Sequence, residues 1–157
     1  MQTILVVEDY EDVRRMLKIL LESEQFRVLE AATGVEALIV VKNGRPDVIL
    51  MDLALPGLDG FETIRRIRKI EGFQNTPIIV LTAYSGQFIY ETARRAGTDY
   101  FMAKPIDFDE LAALLKQILV DGKSRGPKYG RAPIQRAVIQ NEMSPPKSKM
   151  REVRWTI

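Results

Sequence analysis

Five short apolar runs punctuate the chain, at residues 4–7, 28–31, 48–51, 78–81 and 100–103. Several are continuous rather than alternating, the pattern of strands covered on both faces of a parallel sheet. Between them the period changes. Val13, Met16, Leu17, Leu20 and Leu21 fall at i, i+3, i+4, i+7 and i+8, and Leu111, Leu114, Leu115, Ile118 and Leu119 repeat that spacing, so both segments are predicted helices. Phe61, Ile64 and Ile67 give another helix its stripe. A weaker helix is expected over residues 87–96, where Ile89, Ala93 and Ala96 offer little area and Gly97 ends the pattern. Thr33 with Glu36, Asp59 with Glu62 and Asp107 with Glu110 have the one-to-four spacing of helix caps.

Strand then helix, five times over, implies right-handed crossovers and a doubly wound α/β domain, a five-stranded parallel sheet flanked by five helices. Ligands of such sheets sit beyond the carboxyl ends of the strands. Ionic and hydroxyl side chains collect at those ends: Glu8 and Asp9 after the first run, Asp52 after the third, Thr82 after the fourth, Lys104 after the fifth. A lone acid after a strand is most often a helix cap or a solvated loop residue, and a lone lysine a surface ammonium. The joint arrangement is harder to reach by chance. Three carboxylates on one rim repel, and a hard divalent cation relieves them; Mg²⁺ favours a few carboxylates together with water and phosphate oxygens. Beside such an ion an Asp carboxylate can attack phosphorus to give an aspartyl phosphate. Mg²⁺ would hold one phosphoryl oxygen, Lys104 a second, and the Thr82 hydroxyl with a backbone N–H a third.

Composition narrows the chemistry further. The 157 residues are 46% hydrophobic and 28% charged, and contain neither Cys nor His. Disulfides, thiolate or imidazole metal sites, catalytic thiols and histidine bases are thereby excluded. An ionised carboxylate nucleophile needs none of them. The beginning carries no basic leader and no stretch approaches the ~18 apolar residues of a membrane span, so a soluble, cytoplasmic protein is expected. Net charge is +2, but residues 1–120 carry 14 Lys/Arg against 18 Asp/Glu and residues 121–157 carry 9 against 3. A folded acidic domain over 1–120 followed by a basic tail over 121–157 is the expected organisation. The tail is too short and too poor in apolar residues for a DNA-binding output domain, so nucleic acid is not an expected partner. It is expected to be flexible; the alternative takes Val153, Trp155 and Ile157 as one face of a short strand.

Residues 1–120 resemble a response-regulator receiver domain of two-component signalling, of the single-domain type. The matching words are Val6-Val7-Glu8-Asp9, the stretch from Met51-Asp52 to Asp59-Gly60, Leu81-Thr82-Ala83 and Lys104-Pro105. The resemblance implies the flavodoxin-like strand order 2-1-3-4-5. It makes Asp52 the phosphoacceptor, served by a histidine kinase or phosphotransfer protein. Glu8, Asp9, Asp52 and the backbone carbonyl of Ala54 become the Mg²⁺ ligands, Thr82 and Lys104 the phosphoryl contacts, and Thr82 with Phe101 the switch. On phosphorylation Thr82 moves to the phosphoryl group and Phe101 turns inward, reshaping the face of the fourth helix, fifth strand and fifth helix towards a downstream protein or a second copy. The resemblance implies a signalling switch and not an enzyme, beyond accepting its own phosphoryl group and losing it slowly.

Three departures carry information. Glu8 stands where Asp is commoner. Ala54 and Leu55 leave the positions after the acceptor without polar side chains, and Tyr84 brings bulk to the mouth of the site; both should hinder attacking water. The alternative function is a phosphorylation-independent pseudo-receiver, an interaction module, against which the intact Asp9, Asp52, Thr82 and Lys104 argue. A Mg²⁺-dependent phosphohydrolase of the haloacid dehalogenase type needs a second Asp at position 54, which is Ala. Flavin or nucleotide binding lacks a glycine-rich loop after the first strand.

Overall fold

The structure, a computed structural model, describes residues 1–84 and 86–121; the basic segment from 122 onward, with the flexible-tail and short-strand expectations attached to it, lies outside the described residues. Strands β1 (Thr3–Val7), β2 (Arg27–Ala31), β3 (Val48–Met51), β4 (Ile78–Thr82) and β5 (Tyr100–Ala103) alternate with helices α1 (Glu11–Ser23), α2 (Gly34–Gly44), α3 (Gly60–Arg68), α4 (Gln87–Ala96) and α5 (Phe108–Asp121). The sheet is parallel throughout, in the order β2-β1-β3-β4-β5. Among the described residues no helix is long and apolar enough to cross a membrane.

The continuous apolar runs have their physical reason in two cores, one on each face. Side chains alternate across a strand, so Leu5, Val7, Ile49, Met51, Ile78 and Val80 pack under α2, α3 and α4 with Ala37, Val41, Ile64, Ile67 and Ala93. Ile4, Val6, Val48, Leu50, Ile79 and Leu81 pack under α1 and α5 with Leu17, Leu21, Leu111 and Leu115. Each such fully buried Leu or Ile contributes about 1.5–3 kcal/mol. Every residue of β1, β3 and β4 is buried, whereas the edge strand β2 is half-exposed along most of its length. Met16 departs from the expected α1 stripe: it is exposed, and Leu17 and Leu21 hold that helix down.

All three expected caps form. Thr33 Oγ1 accepts from the Glu36 N–H at 3.1 Å, Asp59 Oδ1 from the Glu62 N–H at 2.8 Å, and Asp107 Oδ1 from the Glu110 N–H at 3.1 Å. The caps start α2, α3 and α5 at the carboxyl edge of the sheet, the edge on which the ionic residues gather.

Candidate functional site

Backbone pairing carries the acids to that edge. The Glu8 N–H donates to the Ala31 carbonyl at 3.1 Å and the Asp52 N–H to the Val7 carbonyl at 3.0 Å, which extends the sheet ladder by one residue past β1 and β3. The Lys104 N–H does the same for β5, donating to the Thr82 carbonyl at 2.9 Å. A carboxylate oxygen from each of Glu8, Asp9 and Asp52 then lies within 4.8 Å of the other two. Glu8 and Asp52 are buried, at 2% and 4% exposure.

Lys104 ties the group together. Its Nζ donates to Glu8 Oε2 at 2.6 Å and to Asp52 Oδ2 at 2.9 Å. Burial pulls this ammonium down, but the two carboxylates outweigh burial and hold it above its ordinary value. Burial pushes the Glu8 carboxyl up; the Lys104 bond opposes the rise and the Asp52 charge adds to it. The second oxygens are also engaged: Glu8 Oε1 accepts from the Tyr10 N–H at 3.2 Å, and Asp52 Oδ1 from the Ala54 N–H at 3.0 Å.

Asp9 differs. Its Oδ1 is buried and has no hydrogen-bond partner. A buried carboxylate oxygen left unpaired is costly, and beside two further carboxylates it is the oxygen a hard cation would take. The donor set therefore fits Mg²⁺.

Glu8, Asp9, Asp52 and Lys104 thus meet, from three strand ends. Thr82 is fully buried at the end of β4, and its Oγ1 accepts from the Tyr84 N–H at 3.2 Å. Ala54 is exposed beside the carboxylates. Phe101 lies apart from them, 5% exposed in the α2–α4 core, its ring edge-on to Tyr90 with centroids 4.3 Å apart. The ring is buried in this state. Gly60, the first residue of α3, has to be small: an added Cβ would stand 2.4 Å from the Asp52 carbonyl oxygen. Arg14, whose Nη1 donates to the Glu8 carbonyl at 2.8 Å, carries no signal in the sequence.

Strand order and acidic rim define a flavodoxin-like domain with a carboxylate cluster at the carboxyl edge of its sheet. The chain belongs to the response regulator receiver domain family, whose model matches residues 4–116. It is 33% identical over 118 residues to the sporulation initiation phosphotransferase F of Bacillus subtilis, which covers 75% of this chain and 94% of that protein. It is 36% identical to the phosphate regulon transcriptional regulatory protein PhoB of Pseudomonas aeruginosa, over 85% of this chain but 57% of that protein; the chain spans about half the length of several such regulators. Among solved structures, a CheY-like receiver domain protein of Methanospirillum hungatei superposes with a TM-score of 0.75 at 27% identity, over 80% of this chain and 99% of that one. The receiver domain of a sensor histidine kinase from Pseudomonas aeruginosa, solved with a magnesium ion coordinated in its active-site cleft, gives 0.71 at 37% identity, over 76% and 98%. Receiver domains are phosphorylation-controlled modules of two-component signalling rather than conventional enzymes, and they act with histidine kinases and phosphotransfer proteins.

Proposed function

We propose that the chain is a signalling switch that accepts a phosphoryl group on Asp52 from the phosphohistidine of a histidine kinase or phosphotransfer protein. The observation that carries it is the Lys104 ammonium bonded at once to Asp52 and Glu8, with the bare Asp9 oxygen beside them. Glu8, Asp9, Asp52 and the Ala54 carbonyl are the proposed Mg²⁺ ligands. When bound, Mg²⁺ neutralises charge between the carboxylates and the incoming phosphoryl oxygens. An Asp52 carboxylate oxygen forms the new O–P bond as the donor's N–P bond breaks, and the nitrogen keeps that electron pair. Lys104 exchanges its Asp52 contact for a phosphoryl oxygen, and the Ala54 N–H, already aimed at the carboxylate, is placed to serve another. Thr82 gives up the Tyr84 N–H and turns its hydroxyl to a third. The added charge of roughly −1.5 to −2 is then read on the face of α4, β5 and α5 by a downstream protein or a second copy. We assign the chain to the cytoplasm as part of the same proposal.

The test is the intact mass after treatment with acetyl phosphate and Mg²⁺. The wild type gains about 80 Da, one phosphoryl group, and Asp52→Asn gains nothing. An unmodified wild type would favour the phosphorylation-independent module instead.

A further inference from the structure

The two acids at residues 8 and 9 sit on a short turn between β1 and α1, and that turn must hold its shape while three carboxylates repel across it. Arg14, near the start of α1, is placed to hold it. Its side chain is only 16% exposed. Nη1 donates to the Glu8 carbonyl at 2.8 Å and to the Asp9 carbonyl at 3.4 Å. On its other side, Nε lies 3.5 Å from Oε1 of Glu30 in β2, whose Oε2 takes a 2.7 Å bond from Lys18. The Glu8 carboxylate has holders of its own in Tyr10 and Lys104. Asp9 Oδ1 has none, so its direction is set through its backbone.

We propose that Arg14 is a positioning residue of the cation site: braced against Glu30, its guanidinium fixes the carbonyls of Glu8 and Asp9, and with them the direction in which both carboxylates face. The inference rests on the Mg²⁺ reading above. A planar guanidinium suits the task because its forked donors reach several acceptors at fixed angles, which the single ammonium of a lysine does not. Electrostatics alone has the opposite sign. A positive charge near a cation site repels the cation, so removing it would tighten Mg²⁺ binding. Lost positioning weakens binding.

The experiment is a calorimetric Mg²⁺ titration of the full chain, without phosphodonor, for wild type, Arg14→Ala, Arg14→Lys and Glu30→Gln, with a thermal melt in chelator to confirm that each variant is folded. Groups that orient metal ligands change affinity by about ten- to a hundredfold when removed. Arg14→Ala is expected at the lower end, a Kd raised about tenfold. Arg14→Lys, which keeps the charge, is expected to raise Kd by less than Arg14→Ala does, and Glu30→Gln, which touches no rim residue, by less again. Unchanged or tighter binding in Arg14→Ala overturns the assignment. Should that variant not fold, unchanged Kd values in both other variants overturn it. A wild type that binds no Mg²⁺ overturns the site reading itself, and this inference with it.

Discussion

Ala54 stands exposed two positions beyond Asp52 and offers a methyl group where a polar side chain could orient water. Tyr84, two residues past Thr82, is 54% exposed, and its N–H donates to the Thr82 hydroxyl. Hydrolysis of an aspartyl phosphate requires a water held in line with the O–P bond, and the Ala54 methyl offers no polar contact for one. The purified phosphoprotein is therefore expected to keep its phosphoryl group for minutes or longer, and Ala54→Asn to shorten that lifetime severalfold. An intact-mass time course without a phosphatase measures both; loss from the wild type within seconds would refute the idea. The residues of this rim were legible in the sequence because each acid, Thr82 and Lys104 interrupts an apolar run at a strand end. Their mutual bonds were not. The Glu8–Lys104 contact joins positions 96 apart, and Arg14 and Glu30 meet across two elements by side-chain reach, a property that spacing along one element does not encode.

Helices and strands were more readable, since hydrophobic period and cap chemistry are local. The exposed Met16 and the half-covered β2 show where tertiary position overrides pattern: one faces solvent from α1, the other lies at the sheet's edge. Long-range ties between elements were hidden, and Arg68 is the main one. From the end of α3 it donates to the carbonyls of Phe73, Thr76 and Gly97 and pairs with Asp99 at 2.8 Å, while Asp99 also takes the Ile78 N–H. The tie fastens the α4 cap and the start of β5 to α3. Arg68→Ala removes the side-chain donor from the Thr76 and Gly97 carbonyls and the charge partner from Asp99, and is expected to cost about 2–4 kcal/mol in a urea melt. Burial pushes the Asp99 carboxyl up, against the Ile78 and Arg68 bonds that favour its charged form. A carboxyl raised in the folded chain contributes stability that is complete below its ordinary value of 3.8 and is lost as pH rises through the raised one. The stability of the wild type minus that of Asp99→Asn should accordingly rise as pH falls from neutrality towards 3.8 and level off below. A difference that falls on acidification would contradict this.

Across the molecule, the core residues named above come from the strands and helices between β1 and α5. We expect residues 1–121 to be sufficient for folding: a fragment ending there should melt in one transition and take up the same phosphoryl mass as the full chain. A fragment that folds but takes up less would assign the basic segment a part in the chemistry. Charge is also sorted along the molecule. Glu11, Asp12, Glu36, Glu62, Asp109 and Glu110 occupy first turns of helices, and Lys42, Arg65, Arg66, Arg68, Arg94 and Arg95 last turns. Each sign opposes the local helix dipole, which suffices to explain the order, and the sorting leaves the carboxyl edge of the sheet acidic.

The ammonium that joins Glu8 to Asp52 enters the chain 52 residues after Asp52. As translation proceeds from the amino end, the acceptor emerges long before the lysine that must meet its phosphoryl oxygens, and that lysine reaches the rim only when β5 has paired beside β4. A nascent or truncated polypeptide lacking β5 and the lysine after it carries the aspartate without the partner that makes it useful. Competence to take the signal is in this way also a certificate that synthesis of the domain has finished.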